Sequence, residues 1–161
     1  MKRFLVIVLV LLMGFSASSA FAAKNGFALG AEFTFANWFG GYGAMLTFHL
    51  PKFPVMFAVG GAFAQNYANI VLTADWWFAN SRLVGILDYY IGLGLYSNIT
   101  LAEPASFAFG ARLPLGLQIW PVGSVLELFL ELAPAWIPFT SYGILPANFD
   151  LQGALGFRIW F

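Results

Sequence analysis

From Phe149 to Phe161 the chain alternates without interruption. One parity reads Phe149, Leu151, Gly153, Leu155, Phe157, Ile159 and Phe161, and the other Asp150, Gln152, Ala154, Gly156, Arg158 and Trp160. Successive side chains of a β-strand point to opposite faces, so this segment is a strand with one apolar face and one mixed face.

Composition decides where such a face can be buried. The chain is 61% hydrophobic and 19% aromatic, with 9% charged residues, against about a quarter charged in an ordinary soluble protein. It nonetheless lacks the long apolar runs of a helical membrane protein. The longest charge-free stretch beyond the N-terminus, Phe53 to Ala74, is broken by Gly60, Gly61, Gln65, Asn66 and Asn69, and Pro114, Pro121, Pro134, Pro138 and Pro146 cut other stretches. Hydrophobicity spread over short alternating segments suits a lipid-embedded barrel, which pairs every backbone polar group between strands and leaves no edge. The fold class expected is therefore all-β: an eight-stranded antiparallel up-and-down transmembrane β-barrel.

The N-terminus agrees with export to an outer membrane. Lys2 and Arg3 precede the apolar run Phe4 to Met13, which is followed by Ser16, Ser18, Ser19 and the small-residue site Ala20-Phe21-Ala22. This pattern predicts a secretory signal peptide over 1–22, cleaved after Ala22, and a barrel domain over 23–161. The apolar run is shorter than the roughly 20 residues that a spanning helix needs. Without cysteine, disulfides, thiol catalysis, a lipidated N-terminus and cysteine metal sites are excluded. Of the seven Lys and Arg, Lys2 and Arg3 fall in the signal peptide, leaving five against seven Asp and Glu. No basic patch is available for nucleic acid.

Strands are expected at about Phe27–Phe35, Gly41–Leu50, Val55–Gln65, Asn69–Phe78, Leu83–Tyr96, Ser106–Trp120, Leu126–Ala135 and Phe149–Phe161. Their lengths suit tilted membrane-crossing strands. With the N-terminus in the periplasm, the short turns Pro51–Pro54, Ala79–Arg82 and Pro121–Val125 lie on that side. Ala36–Gly40, a tight link near Asn66–Ala68, Ser97–Ala105 and the longer Trp136–Asn148 lie on the other. Proline removes a ladder hydrogen bond, so Pro114 calls for a bulge and Pro134 for a place near the rim.

One parity of these strands faces lipid, with Trp38, Trp76, Tyr142 and Phe161 available to interfacial girdles. The opposite parity collects Glu32, His49, Asp75, Asp88, Arg112, Gln118, Glu127, Glu131, Asp150, Gln152 and Arg158, nearly every charged residue beyond the signal peptide. Charges scattered at random would put about half of these in lipid, at up to a few kcal/mol each. The expected site is thus an interior polar network of Glu32, His49, Asp75, Asp88, Arg112, Glu127, Glu131 and Arg158. Arg112 with Glu131 and Arg158 with Glu127 are expected as ion pairs on adjacent strands, because an unpaired buried charge is costly. Counting from the strand ends places His49, Asp75, Glu127 and Arg158 near the periplasmic mouth and Glu32, Asp88, Arg112 and Glu131 nearer the middle. Small inward residues such as Gly30, Gly94 and Gly116 fill the remaining space, and a barrel of eight strands is narrow enough to be plugged by side chains.

Catalytic signals are weak. His49 is the single histidine, and a triad would have to recruit a serine together with an acid such as Asp75; Thr47 lies close in sequence. Glu127 and Glu131 face one way on one strand, where partnering arginine is the simpler account. No catalytic residue, cofactor or metal is expected.

The stretches Ala74-Asp75-Trp76-Trp77, Tyr90 to Gly94, Gly110 to Leu117, Leu126 to Pro134 and Gly156 to Phe161 resemble a family of small outer-membrane barrels best known from spirochaetes, itself of uncharacterised function. Its architecture is similar to the OmpA transmembrane domain, OmpX and OmpW. The resemblance implies that Asp75, Arg112, Glu127, Glu131 and Arg158 are motif positions without an assigned catalytic role. It also implies that the terminal strand, through Phe157, Ile159 and Phe161, is the signal read by the barrel assembly machinery. The expected partners are that machinery and outer-membrane lipid, and the expected state is a monomer. The expected role is structural or at the cell surface. The alternatives are a narrow porin-like channel or conduit for small solutes or hydrophobic molecules and, more remotely, a lipid-modifying enzyme.

Overall fold

The computed structural model describes residues 26–35, 41–64 and 67–161. The signal peptide expected over 1–22, the link Ala36–Gly40 with Trp38, and Gln65 and Asn66 lie outside the described residues. The described chain forms ten strands: β1 Ala28–Phe35, β2 Tyr42–His49, β3 Val55–Ala64, β4 Tyr67–Val84, β5 Leu87–Thr100, β6 Ser106–Arg112, β7 Leu115–Val122, β8 Leu126–Thr140, β9 Gly143–Ile144 and β10 Phe149–Trp160. They make one antiparallel sheet in the order β10-β1-β2-β3-β4-β5-β6-β8-β7, with β9 on β8. Further pairings of β10 with β8 and of β5 with β7 curl this sheet into a near-ring.

Burial follows the alternation of the sequence. In β2 the exposed positions Tyr42, Ala44 and Leu46 alternate with buried Gly43, Met45 and Thr47, and β8 alternates in the same way from Glu127 to Ile137. The outer face carries Leu46, Leu72, Leu93, Leu117, Leu130 and Phe157, all exposed. The inner face holds two apolar clusters, one built on Trp77, Tyr90, Phe129 and Trp160 and the other on Met45, Val71, Tyr96 and Ile137. Glu131 lies between them along β8, flanked by Phe129 of the first and Ala135 of the second, whereas Arg158 packs on Phe129 and Trp77 of the first.

Ten strands replace the expected eight for two reasons. The sixth expected strand, Ser106–Trp120, is interrupted at Leu113 and Pro114 to give β6 and β7. Here the Leu113 amide donates to the Pro134 carbonyl (2.9 Å) and the Gly92 amide to the Pro114 carbonyl (2.9 Å). Each proline lacks the amide hydrogen that would complete its rung, so two bonds are missing side by side. The expected bulge at Pro114 is absent: Arg112 faces Ala135 and Leu115 faces Leu132 in one unbroken register. The shift falls instead between Phe109 and Ala111. Gly92 makes room for the Pro114 ring, since a Cβ there would lie 2.9 Å from Pro114 Cγ. Pro134 is not at the rim but within β8, facing Leu151. The second reason lies in Trp136–Asn148, expected as a loop: β8 runs on to Thr140 and turns back through β9, with Phe139 facing Ile144.

The turn expected at Ala79–Arg82 is also displaced. Those residues continue β4, and the chain reverses at Gly85 and Ile86, with Val84 facing Leu87. Gly85 has φ of 57°, which suits glycine at the first central position of a primed two-residue hairpin. Trp77 faces Gly92 and Ala79 faces Ile91, so Phe78 is the extra residue of a bulge. Asn80-Ser81-Arg82 has turn-like chemistry, but the bulge turns Asn80 inward, where its Oδ1 accepts from Gln118 Nε2 (2.8 Å).

Candidate functional site

Two arginines organise the buried polar interior. Arg158, on β10, is 2% exposed and Glu127, on β8, is 0% exposed. Arg158 faces Glu127 directly across the ladder, and its Nη1 donates to Glu127 Oε1 at 2.7 Å. The other carboxylate oxygen of Glu127 accepts from Trp160 Nε1 at 2.7 Å. Arg158 Nε donates to Thr47 Oγ1 on β2 (3.3 Å). Its guanidinium lies 3.6 Å from the Phe129 ring centre and 5.1 Å from that of Trp77, where a planar cation meets the negative faces of both rings. Bonding on the edge and stacking on the faces are how a guanidinium is accommodated without water.

Arg112, on β6, holds the second group. It pairs with Glu131 of β8 and, through Nε, with Asp75 Oδ1 of β4 at 3.2 Å. Its Nη1 donates to Gln152 Oε1 of β10 at 3.1 Å, and Tyr90 of β5 donates its hydroxyl to Glu131 Oε2 at 2.7 Å. Five strands therefore meet at one carboxylate–guanidinium cluster. Glu32, 9% exposed, lies beside it and lines a cavity of about 20 Å³ with Arg112, Glu131 and Gln152. That volume accommodates about one water molecule.

Two glycines permit these contacts. Asp75, Gly94 and Arg112 stand on one rung of three strands. A Cβ on Gly94 would collide with the Asp75 carboxylate, so the bare backbone lets Asp75 lie across β5 to its arginine. Tyr90, Gly116 and Glu131 form a second such rung, and a Cβ on Gly116 would fall within the Tyr90 ring.

The expected site residues divide accordingly. Asp75, Arg112 and Glu131 come together, with Glu32 beside them, and Glu127 meets Arg158. Asp75 belongs to the inner cluster and not to the mouth, because the rung that starts at His49 passes through Met56 to Asp75 and Gly94 and on to Arg112. Asp88 is not in the middle. With the hairpin turn at Gly85 and Ile86, it sits at that end and pairs with the exposed Arg82 (3.7 Å). His49 joins neither cluster. Its Nδ1 lies 2.7 Å from the Gly26 carbonyl and its ring 5.3 Å from that of Trp160. Among the described residues no serine or threonine hydroxyl bonds to it, and no group of three or more His, Asp or Glu is placed to hold a metal. Of the terminal-strand residues, Phe157, Ile159 and Phe161 are exposed on the outer face. Sequence reading missed Tyr90, Trp160 and Gln152 as ligands of the charges; their inward parity was the available signal.

No protein-family profile and no curated protein matches the sequence. Among solved structures the chain is similar to the crystal structure of Neisserial surface protein A, at 17% identity and a TM-score of 0.55, over 84% of this chain and 97% of that one. The fold resembles that of an outer-membrane β-barrel protein. At this identity the likeness is one of architecture: an antiparallel near-ring with a structured interior. It does not single out the spirochaete-type family.

Proposed function

We propose that this chain is an integral outer-membrane protein whose near-ring is a closed barrel of eight staves, plugged by its own ionic interior, with a structural or surface role. β6 and β7 form one interrupted stave, and β9 belongs to a loop. The observation that carries the reading is the sorting of the two faces: exposed leucine and phenylalanine outside, and buried Arg112, Arg158, Asp75, Glu127 and Glu131 inside. In water this outer face would be an aggregation surface; in a bilayer it is the required one.

The ladder supports closure. Successive rung partners run Ala28, His49, Met56, Asp75, Gly94, Arg112, Ala135 and Asp150. On its other side Ala28 faces Trp160, ten residues beyond Asp150. With strands roughly 4.8 Å apart and a rise of roughly 3.3 Å per residue, a stagger of ten over eight staves tilts the strands by about 40°. A strand of ten residues then spans about 25 Å, the height of the apolar band of such barrels. Outer-membrane placement, the barrel assembly machinery and bilayer lipid as partners, and a monomeric state belong to the same proposal.

Conductance across planar bilayers tests the plug. Refolded protein whose gel mobility changes on heating is expected to be silent, and Arg112→Ala and Arg158→Ala are expected to admit intermittent cation-selective currents by unpairing Asp75, Glu131 and Glu127. Steady openings of the unmodified protein would overturn the plug in favour of a conduit.

A further inference from the structure

The outer face of the sheet is not uniformly bulky. Two adjacent rungs run Phe57, Ala74, Leu95 and Leu72, Ser97, Phe109. At their diagonal centre sit two small side chains, Ala74 on β4 and Ser97 on β5, ringed by large ones. The result is an outward-opening notch of about 340 Å³, almost wholly apolar in its lining.

On the reading proposed above, this notch faces hydrocarbon. An unfilled apolar hollow there forfeits dispersion contacts along its whole lining, and water has no polar partners in the bilayer core to hold it. Its volume lies at the low end of sites for small molecules, about 300–1,000 Å³, and its lining runs from Phe48 on β2 across to Phe109 on β6, an extent that suits one flexible chain. We propose that the Ala74–Ser97 notch is a lipid-binding site that holds one acyl chain of a bilayer phospholipid in register with β4 and β5. This inference rests on the barrel reading.

The test is native mass spectrometry of the protein released from dimyristoyl-phosphatidylcholine nanodiscs, with folding read separately from the heat-dependent gel shift. One retained phospholipid per wild-type chain is expected. The double variant Ala74→Leu/Ser97→Leu fills the notch from the lipid side and is expected to retain at least fivefold less. Leu130→Phe, on the outer face of β8, is expected to retain as much as wild type. Folded wild type without lipid, equal retention by the filled variant, or release as a dimer in place of a lipid adduct would each overturn the site while leaving the barrel standing. A chain with no heat-dependent shift, unable to insert, would sink the barrel reading and the site with it.

Discussion

Gly116 supports the inner cluster without contributing an atom to it. The Tyr90 ring lies over its Cα and carries the hydroxyl to Glu131. Gly116→Ala is expected to displace the ring and leave a buried carboxylate oxygen short of a donor, at a cost of about 1–3 kcal/mol. The urea midpoint of the folded protein in vesicles measures this. Tyr90→Phe removes the same bond without the clash, so the double variant should be less unstable than the two single effects added together; simple additivity would mean that Gly116 acts elsewhere. At this scale the sequence was legible in its charges and not in their neutral ligands. The parity of Arg112, Glu131, Arg158 and Glu127 places them on one face, and cost compels them to pair. Nothing in the spacing says that Asp75 reaches across Gly94, because side-chain length and a missing Cβ on the neighbouring strand decide that together.

Among the elements, the sixth stave departs most from a regular strand. Leu113 and Pro134 face each other with one bond where two belong. Pro134 points outward and is exposed, so Pro134→Ala restores a donor with little change inside. The variant is expected to join β6 to β7, slow amide exchange at Leu113, Leu115 and Gly116, and stabilise the fold by up to about 1 kcal/mol. Hydrogen-exchange mass spectrometry reports on it, and unchanged protection there would show that the interruption has another cause. Strand identity was legible wherever period-two alternation was unbroken, as in β2, β8 and β10. It failed at the β4–β5 hairpin, where Asn80-Ser81-Arg82 imitates a turn and one bulged residue, Phe78, changes the parity. Gly85 was the better signal, being the residue that a primed turn requires.

In the whole molecule, β1 and β10 join over the longest separation in sequence, Ala28 facing Trp160 and Leu29 facing Ile159. The chain has no cysteine, so introduced pairs report cleanly. Leu29→Cys/Ile159→Cys is expected to oxidise to an intramolecular disulfide in vesicles, whereas Leu29→Cys/Phe157→Cys, offset by two residues, is expected to stay reduced. Efficient bridging of the offset pair would contradict the register. That comparison bears on the buried clusters in another way. In the proposed bilayer setting lipid is the same beside every leucine of the outer face, so hydrocarbon cannot distinguish the right alignment of the last strand from one slipped by two positions. Arg158 must find Glu127, and Gln152 must find Arg112; a slip of two strands both. On the barrel reading proposed above, the ionic interior is thus a key cut for a single lock, proofreading closure where the membrane is blind to the error.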